Sequence, residues 1–89
     1  MSASSETTVA MPAGVDLHAR PAAEFVRAAL GFESQIEVLA GDRAANAKSL
    51  LAVLALGAKA GTTLRLRAEG EDAGGAVETL AARVASLRE

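Results

Sequence analysis

The stretch TTLRLRA, residues 62–68, alternates without a break: Leu64, Leu66 and Ala68 fall on one side of an extended chain, Arg65 and Arg67 on the other. A strand of this kind needs an apolar layer on one face and water on the other, which points to a sheet covered on one side only. The same period recurs at residues 34–40, SQIEVLA, where Ile36, Val38 and Ala40 alternate with Gln35, Glu37 and Leu39. Gly41-Asp42 supplies a tight turn from there into a shorter strand near residues 43–47. Residues 6–11, ETTVAM, are β-branched and alternating and read as the first strand, ahead of a loop marked by Pro12 and Gly14.

The cover for that sheet is written at a different period. From Arg20 onward, Ala22, Phe25, Val26, Ala29 and Leu30 recur at helical spacing, with Glu24 and Arg27 facing outward. Pro21 suits the first turn of this helix and Gly31 its stop. Residues 49–56, SLLAVLAL, are continuously apolar, and length alone would allow a buried strand. Ser49 as a cap, the Leu/Ala content and Gly57 as a stop favour a short helix. After a glycine-bearing loop at residues 70–75, Ala76, Val77, Leu80, Ala81, Val84 and Leu87 mark one face of an amphipathic helix.

The order is therefore β-α-β-β-α-β-α. The expected class is α+β, an open-faced β-sandwich: a four-stranded antiparallel sheet with three helices on one face. Residues 1–5 read as a disordered N-terminal extension and residues 6–89 as a single domain.

Composition narrows the function. Phe25 and Phe32 are the only aromatic residues, so the core is aliphatic and no base-stacking cluster exists. A net charge of −2 leaves no basic footprint, and nucleic acid is not an expected partner. With no cysteine and one histidine, neither a metal centre nor a cofactor is expected. No apolar run is long enough to insert into a membrane, and residues 1–8 lack the apolar core of a secretory signal, so a cytoplasmic protein is expected.

That single histidine lies in DLHARPAAEF, residues 16–25, where a helix is due to begin. With His18 at the N-cap, the first-turn N–H groups lack carbonyl partners and point outward at the positive end of the helix dipole, an arrangement that attracts phosphate. Arg20 adds a cation whose fork matches phosphate oxygens. A ring nitrogen there can capture a phosphoryl group with no separate base to activate it. From these residues alone a second reading stands beside this one: His18 as an ordinary capping histidine and Arg20 as a solvated side chain.

LHARPA, residues 17–22, joined at this separation to NAKSLLAVLALGAKAG, residues 46–61, resembles the histidine-containing phosphocarrier (HPr) family of the bacterial sugar phosphotransferase system. GFESQIEV, GTTLRLRAEGED and AVETLAARV fall where that family has its turns, last strand and last helix, so the likeness covers nearly the whole chain. The resemblance implies that His18 is the histidine phosphorylated on Nδ1 and Arg20 the arginine that contacts the phosphoryl group. It implies that Ser49 is the serine a dedicated kinase phosphorylates in many family members. Leu50, Leu51 and Leu54 match the apolar docking surface, and Arg27 a basic position of the same face.

The implied partners are enzyme I, sugar-specific A components and an HPr kinase/phosphorylase, with the chain acting as a monomer. A regulatory relay in a nitrogen-related or glycerone-kinase branch, and a docking regulator that is never phosphorylated, are the alternative roles. One position departs from the family pattern: Asp16 stands where glycine is usual, two before the histidine. Aspartate tolerates left-handed backbone, but a carboxylate so near a phosphate site would repel the phosphoryl group.

Overall fold

The computed structural model describes residues 3–88. The elements run β1 (Ala3–Ala10), α1 (Ala19–Ala29), β2 (Gln35–Ala40), β3 (Arg43–Asn46), α2 (Leu50–Leu56), β4 (Thr63–Gly70) and α3 (Ala73–Ala85). The four strands form one antiparallel sheet in the order β1-β4-β2-β3, with three helices against it. This is the open-faced sandwich expected from the alternation.

Each alternating strand divides its side chains between two environments. Leu64, Leu66, Ala68, Ile36 and Val38 are buried in one core with Phe25 of α1, Val53 of α2 and Leu80 of α3. Each such Leu, Val or Phe contributes about 1.5–3 kcal/mol by leaving water. On the open face, Arg65 pairs with Glu6 at 3.3 Å and Arg67 bridges Glu6 at 3.5 Å and Glu37 at 3.3 Å. Half-exposed pairs of this kind contribute roughly 0–1 kcal/mol each. Register is fixed by the buried side instead, because a one-residue slip would turn Arg65 and Arg67 into the core.

Three features differ from the sequence reading. Ala3, Ser4 and Ser5, read as part of a disordered extension, pair with Gly70, Glu69 and Ala68. They have almost nothing apolar to bury; the backbone groups of β4, which runs to Gly70 rather than stopping at Ala68, hold them in the ladder. Met1 and Ser2 lie outside the described residues.

Second, α3 begins at Ala73, so Gly74 and Gly75 are helical although the segment read as loop. Each glycine costs the helix about 1 kcal/mol relative to alanine, and burial of Ala73, Ala76 and Val77 offsets it. Third, Leu30 caps the C-terminus of α1 and is 61% exposed, where the helical period had set it on the buried face. The helix has ended at Ala29, and the period no longer governs the next residue.

The corner before α3 is tied to the corner before β2. The Glu33 and Ser34 N–H groups each donate to the Asp72 carboxylate at 2.9 Å, and the Ser34 hydroxyl donates to it as well. Gly70 has φ +149°, and a Cβ there would lie 2.5 Å from Ser34 Oγ and 2.8 Å from Ser34 Cα.

Candidate functional site

Residues 15–18 form the approach to α1 and are held from several sides. Leu17 is buried, and its N–H donates to the Ala58 carbonyl at 2.8 Å, just beyond α2. The His18 N–H donates to the Asp16 carbonyl at 2.9 Å. His18 is the N-cap of α1, as the sequence suggested, with extended backbone (φ −136°, ψ 162°) and no capping bond from its side chain. Its imidazole is exposed. The first-turn N–H groups of α1 therefore face outward with no side chain closing them off.

Between His18 and Arg20 stands Ala19 at φ +33°, the only non-glycine residue with positive φ among the described residues. Such backbone costs of order 1–3 kcal/mol and persists where its surroundings over-determine it. The exposed His18 and the exposed Arg20 thus stand two positions apart at one helix end, on either side of this turn. Asp16 does not adopt left-handed backbone. Its Oδ1 accepts the Ala60 N–H at 2.8 Å, across 44 residues of sequence. That acceptor role, which no local pattern in the sequence signals, ties the histidine loop to the segment between α2 and β4.

Ser49 is the N-cap of α2, its Oγ accepting the Ala52 N–H at 3.2 Å, and Gly57 closes the helix in the left-handed conformation (φ 65°). The Lys48 Nζ donates to the Phe32 carbonyl at 2.6 Å, setting the start of α2 beside the end of α1. The two helices are therefore antiparallel, with the end of α2 near the histidine loop. Leu50 (42% exposed) and Leu51 (81%) lie open, whereas Leu54 is half-buried against the core. Arg27 is exposed in the last turn of α1.

Arg27, Leu30, Ser49, Leu50 and Leu51 thus gather at one end of the helix pair, and His18 and Arg20 lie at the other. An 11-residue helix is about 16 Å long, so the structure does not bring Ser49 to the histidine. The two helices carry Arg20 and Arg27 against Glu24 alone, although the whole chain is acidic. No group of three or more His, Asp or Glu side chains able to hold a metal ion occurs among the described residues. No helix there is long and apolar enough to cross a membrane.

The molecule is thus an open-faced sandwich whose first helix is capped by an exposed histidine, with an arginine two residues on. The family model described as the PTS HPr component phosphorylation site matches residues 3–86, and the chain belongs to that HPr family. It is 46% identical over 71 residues to the phosphocarrier protein HPr of Haemophilus influenzae, covering 80% of this chain and 84% of that one. It is 45% identical over 82 residues to a multiphosphoryl transfer protein of Xanthomonas campestris, covering 92% of this chain but spanning only 10% of that much longer protein. Among solved structures, HPr-C-His from Thermoanaerobacter tengcongensis superposes with a TM-score of 0.87 at 39% identity, over 92% of each chain. HPr of the same organism has also been solved as a dimer (TM-score 0.73, 43% identity, 79% of this chain and 80% of that one).

Proposed function

We propose that this chain accepts a phosphoryl group from phospho-enzyme I on His18 and passes it to sugar-specific A components, acting as a cytoplasmic monomer. The observation that carries the reading is the exposed His18 at the open N-terminus of α1 with Arg20 two residues away, in a chain of the HPr family. The Nδ1 lone pair forms an N–P bond as the donor's bond to phosphorus breaks, and that electron pair leaves with the donor. Arg20 and the free first-turn N–H groups meet the charge on the phosphoryl oxygens.

Docking falls to Arg27, Leu50, Leu51 and, through its exposed edge, Leu54. The exposed leucines offer apolar area and the arginines a positive rim for an acidic partner. Ser49 stands among them as the site where a kinase/phosphorylase would add charge. Its distance from His18 makes that control an effect on docking and not on the imidazole.

Incubation with enzyme I and phosphoenolpyruvate should add one acid-labile, alkali-stable phosphate by intact mass. His18→Ala should fold and take up none. Arg20→Ala should fold and transfer roughly 10²–10³ more slowly, the typical loss for one charge-assisted contact to developing charge. Undiminished labelling of His18→Ala would remove the site. A parent protein that accepts no phosphate would leave the docking regulator as the role.

A further inference from the structure

The His18 turn holds a left-handed alanine, and the bonds that hold it there can be named. Leu17 N–H to Ala58 is a backbone bond that any residue could make. The bond from the Ala60 N–H to Asp16 Oδ1 at 2.8 Å belongs to one side chain. We propose that Asp16 is a positioning residue: its carboxylate pins the histidine loop to Ala60, so that His18 and Arg20 face an incoming phosphoryl group together. This rests on the phosphocarrier reading above.

The geometry answers the objection that a carboxylate beside a phosphate site must oppose catalysis. The charge is directed at the Ala60 N–H, and a carboxylate accepting such a bond spends part of its field there. Without it, residues 15–18 would keep the buried Leu17 and the Ala58 bond but lose the one side-chain hydrogen bond that, among the described residues, joins them to the loop beyond α2. Ala19, at φ +33°, would then be free to relax, and it sits directly between the two functional side chains. A shift of about 1 Å in such a pair is enough to slow a reaction on the order of 100-fold.

Two substitutions separate the acceptor from the charge. Asp16→Asn keeps an oxygen for the Ala60 N–H and removes the charge, whereas Asp16→Ala removes both. Each would be followed by phosphoryl transfer from enzyme I at varied carrier concentration, by a thermal melt, and by the amide spectrum of the labelled protein. Asp16→Ala should lower kcat by on the order of 10–100-fold with KM little changed, and should shift the Ala60 amide signal. Asp16→Asn should restore kcat to within about threefold and leave that signal near its original position. Parent kcat in Asp16→Ala with a shifted Ala60 signal would show a bond that positions nothing and overturn the proposal. An unshifted signal would overturn it by removing the bond. Failure of the parent protein to accept phosphate at all is a separate result: it sinks the carrier reading and this assignment with it.

Discussion

At the scale of single residues, Gly70 and Ala19 show two opposite uses of unusual backbone. Gly70 is required by crowding: any Cβ would enter the space of Ser34, which is buried and fixed by the Asp72 carboxylate. Gly70→Ala should therefore lower stability by about 1–3 kcal/mol, the usual range for forcing an atom into a packed site. Urea unfolding measures this, and an unchanged midpoint would mean that the Ser34 corner yields without cost. Ala19 is the reverse case, a residue with a Cβ held where glycine would be easier. Its strain sits where function would use it, between the imidazole and the guanidinium. Neither could be read from the sequence: the crowding at Gly70 comes from Ser34, 36 positions away, and the loop that leads into Ala19 is bonded through Asp16 to Ala60, 44 positions away.

Among the elements, α2 was legible and the start of α3 was not, and the contrast has a physical cause. Ser49, an apolar run and Gly57 state the beginning, body and end of α2 locally, and the structure has each in that role. In α3 the local signal, with Gly70, Gly74 and Gly75 in six residues, argues for loop, and burial of Ala73, Ala76 and Val77 reverses it. His18 was legible for the same reason as Ser49, since a helix start is a local event. Leu30 was misplaced because its period outlasted its helix. The clarity of the α2 cap supports a prediction about docking. Ser49→Asp should leave the melt nearly unchanged, because aspartate caps as well as serine and suits the helix dipole. It should weaken binding to enzyme I, since a fixed charge beside Leu50 and Leu51 must be desolvated on association. Calorimetry on the folded variant decides, and equal affinity would make Ser49 a cap and nothing more.

For the whole molecule, the tie between the corners before β2 and α3 sets an acid limit on stability. Donation from the Ser34 hydroxyl, with that from the Glu33 N–H, holds the Asp72 carboxyl below the ordinary aspartate value. A carboxyl lowered by folding stabilises the fold fully above its unfolded pKa, about 3.9, and ceases to do so as pH falls through the depressed folded value. Asp72→Asn should therefore be less stable than the parent by a constant margin between pH 7 and pH 5. That margin should narrow below about pH 4; urea midpoints at pH 7, 5 and 3 test it, and a margin still intact at pH 3 would mean that the charge is not what the corner uses. The strand order has a consequence of its own for how this chain comes into being. β1 hydrogen-bonds only to β4, with Ala3 opposite Gly70, and β4 is also the sole link from β1 to β2. During synthesis at 5–20 residues per second, β1 therefore leaves the ribosome about 3–12 seconds before its partner exists. Through that interval β2 and β3 can pair but the first strand cannot join them, and α1 has no finished sheet on which to lay its apolar face. The carrier can assemble only once its last strand has been translated, and until then its N-terminal third is a nascent segment that must be kept from pairing elsewhere.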